Sequence, residues 1–167
     1  MDQLTGLPTH RELPRAFAES TRHPAAACLT AVLFDIDGLI WVNDQHGHAE
    51  GDRTLVRVAG WLESRLGAHG SELFRVSGDE FLALLHEKSL QDAVVLAREV
   101  LGDFERLRIP YARTSDARDF LAMNAVVFTA YAGLEGDMQR LRDDWANAIY
   151  NTKRAEGRPY SVVAVID

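Results

Sequence analysis

Leu73-Phe74-Arg75-Val76-Ser77-Gly78-Asp79-Glu80-Phe81-Leu82-Ala83-Leu84-Leu85 reads as two short strands joined by a tight connection that carries a glycine. A glycine in so short a link between apolar runs is a hairpin signal. It sets Asp79 and Glu80 on the turn. Upstream, Leu29-Thr30-Ala31-Val32-Leu33-Phe34 is a continuous apolar run that ends in Asp35-Ile36-Asp37. A run of that kind, rich in branched residues, predicts a buried central strand with carboxylates at its C-terminal end. Alternation puts Asp35 and Asp37 on one face and Ile36 on the other. A hairpin paired beside that strand would bring Asp35 and Asp79 within coordinating distance of one metal ion. Oxygen ligands without Cys or His favour Mg²⁺ or Mn²⁺ over Zn²⁺. Each acid taken alone also fits a solvated strand end or a turn. The two clusters together favour the metal.

The remaining elements follow from periodicity. Thr5-Gly6-Leu7-Pro8 is a turn, with Pro8 or Thr9 opening a helix through about residue 18. Leu55, Val58, Ala59, Leu62 and Leu66 fall at helical spacing within residues 49–66, ahead of Gly67 and Gly70. Ser89-Leu90-Gln91-Asp92 resembles a capping signal for a helix to Phe104, with Ala93, Ala97, Val100 and Phe104 on one face. Residues 107–119 are polar and irregular. A strand over 122–131, a helix over 137–154 and a strand over 160–166 complete the chain. The order predicts an α+β fold, an antiparallel sheet with helices packed against it.

At 167 residues the chain fits one domain, residues 1–167, with a sizeable core. Its net charge of -7 repels a polyphosphate backbone, which argues against polynucleotide binding. A small anionic ligand is compatible if metal ions or local Lys and Arg offset its charge. The lone cysteine, Cys28, reads as a reduced core thiol, so no disulfide within the chain can form. No stretch approaches the ~20 apolar residues that span a bilayer, and the start is not a secretory signal. The expectation is a cytoplasmic protein.

Three ordered segments resemble the GGDEF family of diguanylate cyclases. Asp2-Gln3-Leu4-Thr5-Gly6-Leu7-Pro8 looks like its DxLTGLP opening. Residues 35–52, from Asp35-Ile36-Asp37 through Asn43-Asp44 and Gly47-His48 to Gly51-Asp52, look like DIDxFKxINDxxGHxxGD. Arg75-Val76-Ser77-Gly78-Asp79-Glu80-Phe81 looks like RxGGDEF, in the variant form SGDEF. A weaker match, Ala148-Ile149-Tyr150 with Lys153, Gly157 and Arg158, resembles ALYxAKxxGRN.

The resemblance implies a palm-like fold of ferredoxin-like, nucleotidyl-cyclase-like type, condensing two GTP into cyclic di-GMP across a transient homodimer. Asp35 and Asp79 would ligate Mg²⁺ or Mn²⁺, assisted by the Ile36 carbonyl. Glu80 would bind metal or take the 3′-hydroxyl proton. Asn43 and Asp52 match the guanine-reading pair, whose donors and acceptors complement guanine and leave adenine unmatched. Helix capping or a turn would also explain both residues. Leu39 and Gly78 fall on nucleotide-facing positions, Gly78 allowing close backbone approach. His46 and His48 read as a helix–helix turn, and Trp41, Trp61 and Trp145 as core or interface.

The chain also departs from the pattern. Ile40 stands where the family offers a phosphate-facing Lys, and Lys153 lies one residue further from Gly157 than the family spacing. Lys153 or Arg154 would reach the β/γ-phosphates, with Arg158 a second candidate; a basic helix end favoured by its dipole explains them equally. Ala68 and Ser71 occupy the ends of the product-inhibition motif RxxD, so no product feedback is expected there. These departures leave two alternatives: a weak GTP-binding regulatory module, or a cyclic-dinucleotide synthase with a different product.

Overall fold

The computed structural model describes residues 1–20, 29–111 and 119–166. Cys28 and most of the irregular 107–119 stretch lie outside the described residues.

Alternation along the apolar strands dictates two cores, one on each face of a sheet. Strand β1 (Leu29–Asp37) is central, flanked by β3 (Glu80–Leu85) and β4 (Ala122–Ala130). Outside these lie β2 (Ser71–Ser77) and β5 (Val163–Ile166), giving the order β2-β3-β1-β4-β5. Val32, Phe34 and Ile36 of β1 face one core with Phe81, Ala83 and Leu85 of β3. Helices α2 (Leu39–His46), α3 (His48–Gly67) and α4 (Leu90–Arg106) cover that side. Ala31 and Leu33 face the other, beneath α1 (Leu13–Ser20) and α5 (Met138–Glu156). Fully burying a side chain such as Phe34 or Leu82 contributes about 1.5–3 kcal/mol, so the sheet is fixed from both faces.

The α+β expectation holds, with one difference. The sheet is mixed, because β5 runs parallel to β4 while β1–β3, β1–β4 and β2–β3 are antiparallel. A strand reached from β4 through a helix arrives in parallel, and α5 is that crossover. Local signals behaved as their chemistry requires. Ser89 and Asp92 form a reciprocal capping box at α4. Thr9 and Glu12 form a second one, at a single 3₁₀ turn (His10–Glu12) ahead of α1, so the first helix starts later than its sequence suggests. Strand β5 is shorter than predicted, because Ser161 turns left-handed (φ 55) just before it.

The opening motif is a clamp on the hairpin. Asp2 Oδ1 accepts from the Thr5 N–H (2.8 Å), the Thr5 hydroxyl (2.7 Å) and Arg75 Nη1 (2.8 Å). Arg75 in turn donates through Nε and Nη2 to the Gly78 carbonyl, at 3.1 and 2.7 Å. Partial burial pulls the Asp2 carboxyl upward, but the Thr5 and Arg75 contacts outweigh it and hold the group down at about 2. A depressed carboxylate stabilises the fold above its ordinary 3.8, and that stability is lost as pH falls towards about 2. Asp2→Asn is therefore expected to unfold at neutral pH about 1–3 kcal/mol more easily. Its stability should also fall less between pH 4 and pH 2 than that of the parent, which parallel urea titrations would check.

Candidate active site at the end of the sheet

The antiparallel register pairs Asp35 of β1 with Glu80 of β3. The Ile36 N–H donates to the Asp79 carbonyl at 3.1 Å, which pulls the hairpin turn onto the end of β1. On β1, Asp35 shares the α5 side with Leu33; on β3, Glu80 shares it with Leu82 and Leu84. A cleft of about 280 Å³ opens there, lined by Asp35, Glu80, Arg142, Tyr150 and Lys153 over a floor that includes Leu33 and Trp145. Lys153 Nζ donates to Asp37 Oδ2 at 3.3 Å, so Asp35 and Asp37 do share the face expected of them.

Electrostatically the cluster is short of positive charge. Burial, then the charges of Asp79, Glu80 and Asp37, push the Asp35 carboxyl up to about 7, with Lys153 opposing. Burial raises Asp79 as well, against its own backbone N–H and Arg75. Burial also raises Glu80, against Arg142, and Asp79 adds to that rise. Glu80 Oε2 is buried without a hydrogen-bond partner. Among the described residues no three Asp, Glu, His or Cys side chains already form a ligand set. Two carboxylates near a strand end nevertheless suit Mg²⁺, which takes one or two protein carboxylates and completes its shell with phosphate oxygens and water. The donors present fit a hard divalent cation.

Two further motif residues, Asn43 and Asp52, lie on helices of the opposite face. Gly38, left-handed at φ 107, turns β1 into α2, and Gly47 at φ 83 turns α2 into α3. This brings Asn43 of α2 over Gly51 of α3. A methyl group at Gly51 would stand 1.7 Å from Asn43 Oδ1 and 2.8 Å from its Cγ. The amide of Asn43 thus occupies the space that a side chain at 51 would fill.

Residues 1–158 match the family model described as Diguanylate cyclase, GGDEF domain. The chain belongs to the GGDEF family. It is similar to the diguanylate cyclase DosC of Shigella sonnei, 29% identical over 157 residues that cover 92% of this chain and 33% of DosC. An uncharacterized 19.3 kDa protein in the repSA 5′ region of Streptomyces ambofaciens is 41% identical over 114 residues, 66% of this chain and 60% of that protein. Among solved structures, the diguanylate cyclase SiaD of Pseudomonas aeruginosa, in complex with its activator SiaC, superposes with a TM-score of 0.71 at 28% identity. That match covers 99% of this chain and 61% of SiaD. The active GGEEF domain of a diguanylate cyclase from Vibrio cholerae gives 0.67 at 24% identity, over 96% and 98%, a likeness of fold alone. The chain spans about a third of the length of DosC.

The GGDEF motif residues lie on both faces of the sheet. Asp35, Glu80 and Lys153 gather at the α5 side of the sheet end, and Asp79 sits on the adjoining turn, its carbonyl bonded to the Ile36 N–H and its charge raising Asp35. Asn43 and the exposed Asp52 sit on α2 and α3 across the sheet. The Leu39 side chain is buried in the core, leaving its main chain at the start of α2 as the part that can face a ligand. Gly78 is not left-handed, and a methyl group in place of its hydrogen would meet no atom within 4 Å. Open space above the turn, not backbone strain, is what a side chain there would alter. Of the C-terminal cations, Lys153 faces the acids. Arg154 lies over Tyr150, 5.8 Å from its ring, and Arg158 is exposed beyond the Gly157 cap. His46 and His48 flank Gly47 at the helix–helix turn, and Trp145 is core against Phe128.

Sequence reading missed two residues. Arg142 is one; within a polar helix face nothing singles it out. Gly51 is the other, quoted above within the motif match but given no role there; its signal was a glycine inside a helix. Gly51→Ala should swing the Asn43 side chain aside while stability stays within about 1 kcal/mol, since alanine favours the helix by a similar amount. A crystal structure of that variant with Asn43 unmoved would contradict the close approach.

Proposed function

We propose that this GGDEF domain, residues 1–167, is a diguanylate cyclase that condenses two GTP into cyclic di-GMP. The observation that supports it most is the gathering of Asp35, Asp79 and Glu80 at one sheet end, with Lys153 beside them. In this reading Asp35, Asp79 and the Ile36 carbonyl hold Mg²⁺ or Mn²⁺, with Glu80 assisting. The bound cation supplies charge that keeps the acids ionised and offsets the triphosphate. Asn43 and Asp52 read guanine, and the backbone at Leu39 and the open turn at Gly78 accept the phosphate chain. Lys153 meets the β/γ-phosphates, with Arg158 in reserve.

The chemistry is a substitution at phosphorus. The ribose 3′-oxygen of one GTP bonds to the α-phosphorus of the other, its proton passes to Glu80, and the α–β phosphoanhydride breaks to release pyrophosphate. Two such steps close the ring. Each domain carries one nucleotide, so two copies must face each other. The proposal includes no feedback at the RxxD position, where Ala68 caps α3 and the Ser71 hydroxyl is spent on the Leu66 carbonyl at 2.8 Å. It also has the domain working in the cytoplasm; no helix among the described residues is long and apolar enough to cross a membrane.

Purified protein given GTP and Mg²⁺ should yield cyclic di-GMP on chromatography, with a specific activity that rises with protein concentration. Asp79→Ala should lower turnover to background. Persistent turnover in that variant would sink the acid assignment. Tight GTP binding without product would leave the second reading, a regulatory GTP-binding module. That reading draws on Ile40, 61% exposed on α2 where the family offers a cation. Product containing adenine when ATP and GTP are offered together would point to a different cyclic dinucleotide.

Ile40→Lys tests the same departure in the other direction. A hydrogen bond to a charged partner contributes roughly 1.5–3 kcal/mol, so kcat/KM for GTP should rise about ten- to a hundredfold. An unchanged kcat/KM would mean that the phosphates do not pass over this position.

A further inference from the structure

We infer that Arg142 is a positioning residue for Glu80, holding its carboxylate at the cleft from the opposite wall. This rests on the cyclase reading for its kinetic consequence, but the contact itself does not.

Arg142 is on α5 and reaches both strands of the hairpin. Its Nη2 donates to the Val76 carbonyl at 3.2 Å, and its Nε stands 3.4 Å from Glu80 Oε2. Val76 is the extra residue of a β-bulge: Arg75 pairs with Phe81 and Ser77 with Glu80, so Val76 has no partner across the ladder. The bulge turns that carbonyl towards a donor from outside the sheet, and Arg142 is the donor. Glu80 Oε2 and Arg142 Nε are both buried and make no hydrogen bond, although they face each other as an ion pair. Two opposed charges 3.4 Å apart but not aligned for a hydrogen bond, at the wall of a cleft, leave the Glu80 oxygen oriented but available.

Two of the α5 cations, Arg142 and Lys153, divide the acids between them. Lys153 is bonded to Asp37 and Arg142 faces Glu80, with Ala146, Ile149 and Tyr150 lining the cleft between them. The eleven-residue offset between 142 and 153 makes about three helical turns, so both side chains leave the same face. Without Arg142, Glu80 would keep neighbouring acids and lose its only cation of this pair, and its side chain would turn out of the cleft towards water.

The experiment pairs kinetics with a double-mutant cycle on the full chain. Arg142→Met keeps the length and packing of the side chain and removes its charge. Its kcat should fall at least about tenfold with KM for GTP changed less than about threefold, the pattern of a group misplaced for the chemical step. Arg142→Lys should recover part of the loss. A kcat within about twofold of the parent in folded Arg142→Met would overturn the inference, as would a loss confined to KM. The second arm needs no activity: melting temperatures of Arg142→Met, Glu80→Gln and the double variant. Coupling predicts that Arg142→Met costs about half as much, or less, when Glu80 is already Gln; additive shifts would overturn the contact. If the parent makes no product, the cyclase reading fails, and the cycle alone then decides whether Arg142 holds Glu80.

Discussion

The pairing of β3 against β1, with Asp35 opposite Glu80, is the constraint on which everything else here depends. Nothing electrostatic recommends it, since it sets acidic side chains side by side at the end of a buried sheet. The register is held from below by the apolar alternation: Phe34 faces Phe81 and Leu33 faces Leu82 across the ladder. A slip of one residue would carry each of these to the wrong face of the sheet. Hydrophobic burial on two faces thus sets the spacing of charges at the edge. The acids are where they are because the residues behind them have no other place to go.

That arrangement leaves charge to be offset, and the fold does so from several directions at once. Arg75 approaches from the sheet and is itself tied to Asp2 and to the Gly78 carbonyl. Lys153 and Arg142 approach from α5. The offset is incomplete, for Asp35 remains pushed up to about 7. A buried carboxylate in that state is a reservoir of unsatisfied interaction, and perturbed groups in a cleft are where chemistry is commonly found. On the other face, the Asn43–Gly51 contact fixes a polar side chain by the absence of a Cβ. The two faces meet at the end of β1, where the left-handed Gly38 turns the chain into α2.

Much of this was readable in the residues themselves. The apolar run before Asp35, the glycine between Leu73–Val76 and Phe81–Leu85, and the Ser89 cap each carry their own physical cause, and each formed the element expected. The parallel run of β5 was not readable, because strand direction depends on the path of a crossover and not on any local preference. The start of the first helix was blurred by a Thr9–Glu12 box that the sequence contains but that precedes a tight 3₁₀ turn. For the candidate site, the ordered motifs picked out acids that the fold brings to one sheet end, while Arg142 belongs to none of those motifs. Its meaning comes from a bulge at Val76 and from a helix face sixty-six residues away, a relation no window of sequence contains.

The central place of β1 also bears on how the chain matures. Its partners are far along the sequence: β3 begins at residue 80 and β4 at residue 122, on opposite sides. During synthesis from the N-terminus, the segment from Leu29 to Phe34 is therefore complete long before either neighbour exists. A sheet centred on its earliest strand closes late, at the cost of large loop entropy, and belongs to the slower class of folders. Until its partners are made, β1 is an apolar segment with two unpaired edges, the kind of surface from which misassociation starts.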